Sequence, residues 1–418
     1  MTPIGLKRGL RTPFVKMSKE FARLNAVKLS TRLIDAILEK QLVPADRIQH
    51  LIWGSVVADP NIYSIGREAV LGSKLDNRVE AYSVTRACAT SLQAAANAVT
   101  YYQTFPGDAS IALVGGVESF STARPVITDE AAAFFQTMAS KASVFQKLGA
   151  FIKTPFWKLM PTAPSAKEYS TGLTMGQHCE QMVKAFKVSR QRQDRLALAS
   201  HQNAVKARPF LASQLVTIDG TAKDTLIRQD TSLQALGALA PVFDRSSAGT
   251  LTAGNSSPLT DGAAALFCIS PSLERVVPPE AYLSDFEFVG VEPKDGLLMG
   301  PGKAMLRILQ RRKLRWNEID YVEFHEAFAG QVLCNIEAIN SPVYRKNSYG
   351  IDYDAGTLDE ARINSWGGSV AYGHPFGATG ARMLNQAITY LMETKSRRAL
   401  IGICTAGGLG GAALVERR

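Results

Sequence analysis

The chain has 418 residues, 46% of them hydrophobic and 20% charged, a composition typical of a globular protein with two or three domains. Lysine and arginine exceed aspartate and glutamate by 10, which is equally consistent with a soluble surface of basic bias and with anionic partners such as phosphorylated cofactors or acidic lipid. No basic block interleaved with aromatics, no membrane-spanning apolar run and no signal-peptide core occurs, so the sequence predicts a cytoplasmic protein that does not bind nucleic acid.

The first part of the chain alternates between helical and strand patterns. The patterns predict a helix over Glu20–Lys40, a strand over Leu51–Val57, a small-residue helix over Cys88–Tyr102 and a buried strand over Ser110–Gly116. This alternation predicts a mostly parallel sheet that is covered by helices on both faces.

The middle of the chain, residues 121–244, breaks the alternation. It is rich in Ala, Lys and Gln, carries Pro155, Pro161 and Pro164, and is predicted to form helices and loops. Alternation returns with a strand over Ala264–Ile269, and a second αβ block runs over residues 278–418.

The two αβ blocks resemble each other weakly. In the first, a turn carrying Cys88 opens a helix, and in the second a glycine-rich turn carrying His374 opens a helix over Gly380–Met392. A strand over Ala399–Ile403 then ends at Cys404. A duplicated half fold would place the turns of Cys88 and His374 opposite each other.

The cysteines are odd in number and form no CxxC pair; they are Cys88, Cys179, Cys268, Cys334 and Cys404. This pattern argues against a disulfide framework or a zinc site and favours a reducing compartment. Cys88 stands at a predicted helix N-terminus, where unpaired N–H groups and the helix dipole can lower the pKa of a thiol. A small residue at a tight strand–helix junction is an equal alternative for this position.

Two glycine-rich segments carry the other candidate groups. Glycines surround His374 and allow the backbone to approach a ligand closely, while Pro375 fixes the following chain, which favours function over a structural histidine. Cys404 precedes a glycine-rich loop that matches no nucleotide-binding motif. Together these residues suit covalent catalysis, with Cys88 as nucleophile, His374 as the base that activates it and Cys404 as a second thiol for proton transfer. No histidine spacing indicates a metal site.

Seven ordered segments make the chain resemble the thiolase family over essentially its whole length. They are Ser83-Val-Thr-Arg-Ala-Cys-Ala-Thr-Ser, Gly115-Gly-Val-Glu-Ser, Glu168-Tyr-Ser-Thr-Gly-Leu-Thr-Met-Gly, Asn255-Ser-Ser-Pro-Leu-Thr-Asp-Gly, His325-Glu-Ala-Phe, Gly373-His-Pro-Phe-Gly-Ala-Thr-Gly and Cys404-Thr-Ala-Gly-Gly. The resemblance implies an α/β thiolase fold: two similar βαβ-type halves form a layered αβαβα core, and a helical loop domain is added. It places the N-terminal half at 1–120, completed by 245–277, the loop domain over the coenzyme A site at 121–244, and the C-terminal half at 278–418.

The resemblance also implies a mechanism. Cys88, deprotonated by His374, attacks the 3-keto carbon of a 3-ketoacyl-CoA, Cys404 protonates the expelled acetyl-CoA enolate, and coenzyme A, a co-substrate rather than a permanently bound cofactor, collects the acyl group. The enolate oxygen is held by His374 and a group contributed by His325, where many thiolases carry Asn. The tetrahedral oxyanion is held by the backbone N–H groups of Cys88 and Ala406. Ser257 matches a pantetheine contact and Met175 an acyl-pocket residue.

Within the family, the chain is most similar to the subunits of fatty-acid oxidation complexes. This similarity implies acyl-CoA and CoA as substrates, at least a homodimer, and a hydratase–dehydrogenase partner subunit. Residues 131–160 lack acidic side chains, carry four lysines and place an apolar stripe on one helical face. The stripe is interpreted as helix packing within its own domain, as partner docking, or as a peripheral membrane contact.

Three alternatives remain open for the function. A biosynthetic acetoacetyl-CoA thiolase would use the same catalytic residues. A non-catalytic thiolase-like lipid carrier usually loses a cysteine or the histidine, whereas Cys88, His374 and Cys404 are all present. A ketoacyl synthase would use one cysteine without a second.

Overall fold

The computed structural model describes residues 2–418, and its strands form one continuous sheet in the order β4-β3-β5-β6-β1-β7-β10-β9-β8, with β2 paired to β6. The strands are β1 (Ile4–Arg11), β2 (Val15–Lys16), β3 (Ile48–Gly54), β4 (Glu80–Val84), β5 (Ile111–Glu118), β6 (Thr260–Ile269), β7 (Ala281–Gly290), β8 (Tyr321–Phe324), β9 (Arg398–Thr405) and β10 (Leu409–Glu416).

The α-helices flank and separate the two ends of this sheet. They are α1 (Ala26–Glu39), α2 (Ile65–Leu71), α3 (Thr90–Thr104), α4 (Asp129–Ala139), α5 (Val144–Lys153), α6 (Phe156–Leu159), α7 (Met175–Ala185), α8 (Arg190–Leu211), α9 (Leu233–Gly237), α10 (Gly300–Arg312), α11 (Ala329–Asn340), α12 (Pro342–Tyr344), α13 (Ser369–Tyr372) and α14 (Thr379–Glu393).

Three hydrophobic cores define the layers, because alternate residues of each strand point to opposite faces. The central core joins α3 and α14 to one face of both sheet ends. A second core packs α1 and α2 on the outer face of β3, β5 and β6, and a third packs α10 and α11 on the outer face of β8, β9 and β10. The predicted αβαβα arrangement is confirmed, and α3 and α14 form its middle layer.

The prediction of a mostly parallel sheet was wrong. The pairs β3–β4, β3–β5 and β8–β9 are parallel, whereas the other six strand pairs are antiparallel. The short connection between β9 and β10 contains Gly407 and Gly408 at positive φ, which closes a hairpin and therefore makes the pair antiparallel.

Several predicted boundaries shift by a few residues. The first helix starts at Ala26 rather than at Glu20, because the side chain of Asn25 accepts a hydrogen bond from the Lys28 N–H and caps the helix there. The strand predicted to start at Leu51 starts at Ile48 and ends at Gly54. The helix that follows Cys88 begins at Thr90, so the nucleophile candidate lies in the turn before it.

Residues 121–244 contain no strand of the sheet and include α4 to α9. Helix α5 has no buried residue, so its apolar stripe is largely exposed, although Phe151 contacts Phe134 of α4. Throughout residues 2–418, every helix is too short or too polar to cross a lipid bilayer.

Candidate active site

Cys88 lies in a tight turn between β4 and α3. Ala87 has φ 43°, a left-handed conformation that is uncommon for a residue with a side chain. The turn is held by Thr90, whose Oγ1 accepts from the Arg86 N–H at 2.8 Å and donates to the Ala87 carbonyl at 2.7 Å. The thiol is therefore presented by a strained and closely hydrogen-bonded backbone.

Burial raises the pKa of the Cys88 thiol to about 12, although the side chain keeps some exposure. The backbone N–H groups of Ala406 and of Cys88 itself point at the sulfur and act in the opposite direction, but their effect on the pKa is smaller. The expected lowering of this pKa by a helix N-terminus was therefore wrong as a net effect. The resting group is a neutral thiol.

His374 faces Cys88 from the second αβ block. Its Nε2 lies 3.1 Å from Cys88 Sγ, and its backbone N–H donates to Thr260 Oγ1 at 3.0 Å. Gly373 before it has φ 96°, and a Cβ there would lie 2.5 Å from Leu226 Cδ1. Only glycine allows the chain to turn here and aim the imidazole at the sulfur.

Hydrogen bonding determines which nitrogen of His374 carries the proton. Its Nδ1 lies 2.7 Å from Thr379 Oγ1, and that hydroxyl donates to the Pro375 carbonyl at 3.0 Å. Thr379 can then only accept from Nδ1–H, which leaves Nε2 unprotonated toward the thiol. Burial, and secondarily the charge of Arg382, lower the pKa of His374 to about 3, so the ring is neutral. A neutral imidazole with a free Nε2 can take the proton of Cys88.

His325 is the third candidate catalytic side chain, next to Cys88 and His374. Its ring centroid lies 4.0 Å from that of His374, and the reactive atoms of Cys88, His325 and His374 all lie within 4.8 Å of one another. Burial, the charge that His374 would carry when protonated, and the charge of Arg382 hold the pKa of His325 well below its usual value. One sulfur and two imidazole nitrogens are also ligands that soft divalent metals accept, and the absence of a metal stays a prediction.

Cys404 is the penultimate residue of β9, which ends at Thr405, and it is buried. Its pKa is raised well above the usual value by burial and by the nearby charge that Cys88 would carry as a thiolate, while the N–H of Ala327 lowers it. The two thiols therefore interact electrostatically, and both are protonated at rest. A protonated thiol is the form that can give a proton to a carbanion.

The loop after Cys404 is fixed by residues distant in sequence. Ala406 is partly buried with its N–H toward Cys88 Sγ, and the next residue, Gly407, donates its N–H to Glu168 Oε1 at 3.0 Å. Glu168 belongs to the segment between β5 and β6, so that segment holds the backbone donor in place. The site thus contains the two N–H groups that the family resemblance assigns to an oxyanion.

Glu118 was not predicted to have a role, although it lies in the segment Gly115-Gly-Val-Glu-Ser. Its buried carboxylate accepts from Ser55 Oγ (3.0 Å) and from the N–H groups of Val56, Val57 and Gly377 (3.1, 3.0 and 3.2 Å). Burial raises the pKa of Glu118 to about 7 against these hydrogen bonds. The carboxylate joins the loop after β3 to the loop that carries His374.

Glu326 was also missed, because a His-Glu pair is common on solvated surfaces. It is buried, and its carboxylate accepts from Ser200 Oγ (2.7 Å), Asn364 Nδ2 (2.5 Å) and the Val370 N–H (3.0 Å). These bonds anchor the segment that leads to His374. The available signal was the carboxylate between the strand β8 and the apolar helix α11.

The two residues predicted to contact substrate lie near these groups. Ser257 donates from both its N–H and its Oγ to the carbonyl of Ala327, at 2.9 and 3.1 Å, which ties it to the segment of His325. Met175 begins α7 and packs on the core of the C-terminal half. Both side chains are partly buried.

Two protein-family models match successive parts of the chain. The family model described as "Thiolase, N-terminal domain" matches residues 6–272, and the one described as "Thiolase, C-terminal domain" matches residues 277–417. Together the two models cover nearly the whole chain.

Individual relatives agree with these matches. The chain is 38% identical over 424 residues to the 3-ketoacyl-CoA thiolases of Yersinia pestis (strain Pestoides F) and Yersinia pseudotuberculosis (serotype O:1b, strain IP 31758), covering 99% of this chain and 96% of each relative. The crystal structure of the Bacillus anthracis acetyl-CoA acetyltransferase superposes with a TM-score of 0.84 at 24% identity, covering 100% of this chain and 99% of that one. At that identity the structural match bears on the fold alone.

Proposed function

This chain belongs to the thiolase family, and we propose that it is a degradative 3-ketoacyl-CoA thiolase that uses Cys88, His374, His325 and Cys404. As an acetyl-CoA C-acyltransferase, it moves an acyl group from 3-ketoacyl-CoA to coenzyme A in fatty-acid β-oxidation. The observation that carries the proposal is the contact of 3.1 Å between His374 Nε2 and Cys88 Sγ, with the proton of His374 held on Nδ1.

The first half-reaction transfers the acyl group to the enzyme. Because Cys88 and His374 are both neutral at rest, the thiol proton moves to Nε2 as sulfur attacks the 3-keto carbon. The N–H groups of Cys88 and Ala406, which already point at the sulfur, stabilise the oxyanion of the tetrahedral intermediate. A thioester on Cys88 remains when the C2–C3 bond breaks.

Bond cleavage leaves the enolate of acetyl-CoA. Its oxygen accepts hydrogen bonds from His374, now protonated on Nε2, and from Nε2–H of His325. Cys404 gives its proton to C2 and then recovers one from the incoming coenzyme A thiol. That thiolate takes the acyl group from Cys88, and His374 returns its proton to the sulfur, so all protons balance.

The substrate contacts extend this proposal. Ser257 would meet the pantetheine arm, since its turn is fixed to the Ala327 carbonyl beside the reactive groups. Met175 would line the acyl pocket, because it is partly buried at the start of α7 and packs against the core that contains Cys404. Coenzyme A enters as co-substrate and is released in each cycle.

Chain-length preference separates degradation from biosynthesis. We expect kcat/KM for thiolysis of 3-ketohexadecanoyl-CoA to exceed that for acetoacetyl-CoA at least tenfold, because each buried CH₂ contributes about 0.8 kcal/mol and about 1.4 kcal/mol is tenfold. Steady-state thiolysis with and without a candidate hydratase–dehydrogenase subunit measures this. A clear preference for acetoacetyl-CoA would favour the biosynthetic alternative, and no thiolysis of either would favour the lipid carrier.

A cytoplasmic homodimer, docked to a hydratase–dehydrogenase subunit, completes the proposal. Strand β4 supports dimerisation because it lies at an edge of the sheet, and Glu80 and Ser83 on it are exposed. A second copy could pair with this edge, next to the turn of Cys88. Sedimentation of the purified chain at its single mass of 45.2 kDa would contradict the dimer.

A peripheral membrane contact is proposed for the apolar arm, defined as the exposed large apolar residues of α5 and α6 with their flanks. These residues are highly exposed, for example 85% at Phe145 and 73% at Trp157. The members of the apolar arm are Val144, Phe145, Leu148, Phe151, Ile152, Phe156, Trp157 and Met160. The exposed side chains of Lys141 and Lys153 adjoin it, and no acidic residue occurs in 131–160. Aromatic side chains with cationic neighbours suit an anionic lipid surface.

Removing the aromatic side chains of the apolar arm tests this contact. The variant F145S/F151S/W157S is expected to lose at least tenfold in binding to phosphatidylcholine–phosphatidylglycerol vesicles, since each aromatic burial contributes about 1.5–3 kcal/mol. Co-sedimentation measures binding, and thiolysis should stay unchanged. The control V276S/V343S removes two equally exposed apolar residues elsewhere. Vesicle binding retained in the triple variant, or binding only to the hydratase–dehydrogenase subunit, would overturn the membrane contact.

A further inference from the structure

His325 has one nitrogen bonded and one free. Its Nδ1 lies 2.8 Å from Ser369 Oγ, while its Nε2 is buried and has no hydrogen-bond partner within residues 2–418. A free buried nitrogen beside Cys88 and His374 is available to a substrate atom. Whether it donates or accepts depends on which nitrogen of the neutral ring holds the proton.

The hydrogen bonds of Ser369, the partner of His325 Nδ1, determine which ring nitrogen carries the proton. Ser369 Oγ accepts a hydrogen bond from Nη2 of Arg382 at 3.1 Å, and a guanidinium can only donate. The serine proton is therefore free to be donated, and Nδ1 of His325 is the other hydrogen-bond partner that the described structure gives this hydroxyl. Nδ1 then accepts, and the ring proton lies on Nε2.

The reverse arrangement is less favourable. If Nδ1 carried the proton, Ser369 Oγ would accept from both Arg382 and His325, and its own proton would be buried without an acceptor among the described residues. An unsatisfied buried donor costs about 1–3 kcal/mol, which corresponds to roughly 5- to 150-fold in the ratio of the two tautomers.

A buried ion pair holds the arginine in this role. Nη1 of Arg382 donates to the Glu323 carboxylate, and both side chains are almost completely buried. The other Glu323 oxygen accepts from Tyr321 Oη at 2.8 Å, and Tyr321 Oη accepts from Gln386 Nε2 at 2.8 Å. Because Glu323 lies on β8 and Arg382 on α14, the pair fixes the guanidinium relative to the strand that precedes His325.

We propose that Glu323, Arg382 and Ser369 are positioning residues that keep the proton of His325 on Nε2, so that this ring donates to the enolate oxygen. The inference rests on the proposed function. Thr379 imposes the opposite tautomer on His374, whose Nε2 accepts from Cys88. At rest, the two adjacent imidazoles therefore differ: Nε2 of His374 accepts from Cys88, and Nε2–H of His325 is available to donate to the enolate oxygen.

The hydrogen-bonded series from Glu323 through Arg382 and Ser369 to His325 is called the relay below. Removing the Ser369 hydroxyl tests it. Ser369→Ala is expected to slow exchange of the C2 protons of acetyl-CoA with solvent about 10- to 100-fold, somewhat less than the loss of a whole oxyanion donor. Acyl exchange between two CoA thiols, which forms no enolate, should change by no more than about threefold. Ser369→Thr keeps a hydroxyl and should restore proton exchange.

The controls distinguish a lost relay from a misfolded protein and from failure of the proposed function. Ser270→Ala removes another fully buried serine hydroxyl, at the far end of β6, and should leave both reactions unchanged. Equal loss of both reactions in Ser369→Ala, or no loss of proton exchange, would overturn the relay. A wild-type protein without thiolysis would instead refute the proposed function.

The tautomer itself can be measured without a variant. Nitrogen NMR of histidine-labelled protein distinguishes Nε2–H from Nδ1–H rings, and the chain has only five histidines to assign. We expect His325 as the Nε2–H form and His374 as the Nδ1–H form. An Nδ1–H signal for His325 would overturn the relay even if Ser369→Ala does not fold.

Discussion

Replacing Cys88 by serine is expected to lower thiolysis by roughly 10³-fold or more. A serine hydroxyl is a much weaker acid than a thiol, and His374 is a weak base because burial lowers its pKa to about 3. An imidazole of this low basicity can accept the proton of a thiol during attack, but it removes the proton of the less acidic hydroxyl poorly. Steady-state thiolysis of a long-chain 3-ketoacyl-CoA measures the loss.

A second measurement ties that loss to the nucleophile. Incubation with an acyl-CoA should add one acyl group to the wild-type chain, visible by intact mass, and none to Cys88→Ser. The control Cys268→Ala removes a buried thiol from β6 and should still become acylated. Full thiolysis by Cys88→Ser, or acylation of that variant at another cysteine, would refute the assignment.

Replacing Cys404 by alanine is expected to separate the two halves of the reaction. Exchange of the C2 protons of acetyl-CoA should fall by about 10²–10⁴-fold, the usual contribution of a positioned general acid or base. Acyl transfer to Cys88 from an acyl-CoA should remain measurable, because it needs only Cys88, His374 and the two backbone N–H groups. The exchange is followed in deuterated water.

Two observations would contradict this role of Cys404. Unchanged proton exchange in Cys404→Ala would show that another group protonates the enolate. Parallel loss of exchange and acylation would show that the thiol mainly supports the loop of Ala406. The control Cys334→Ala, a buried thiol on α11, should leave both reactions near the wild-type rate.

The reactive groups could be predicted because each stands in a local context that sequence reveals. Glycines around His374 and the turn before α3 mark places where the backbone must bend sharply, and positive φ occurs there at Ala87, Gly367 and Gly373. Helices on both faces of the sheet were also predictable from the alternation of helix and strand patterns, whereas the five-layered order was predicted from the resemblance to thiolases.

The supporting residues could not be read from local context, because their partners are distant in sequence. Glu323 on β8 and Arg382 on α14 are 59 residues apart in the sequence, and each alone resembles a solvated charge. A lone carboxylate inside the apolar strand β8 and a lone arginine inside the buried helix α14 were nevertheless a signal of a buried pair. The net pKa of Cys88 was missed for a related reason: desolvation by the whole fold exceeds the effect of two nearby N–H groups.

The four hydrogen bonds to Glu118 have a consequence for motion in the site. Its carboxylate belongs to the N-terminal half, yet it holds Gly377 of the C-terminal half, where a Cβ would lie 2.5 Å from the Val117 carbonyl. Because these hydrogen bonds leave little room at the junction, the loop after β3 and the loop that carries His374 are displaced together when either half shifts. Movement between the two halves that admits a bulky thioester is therefore expected to leave the loop of His374 fixed relative to the strand β3.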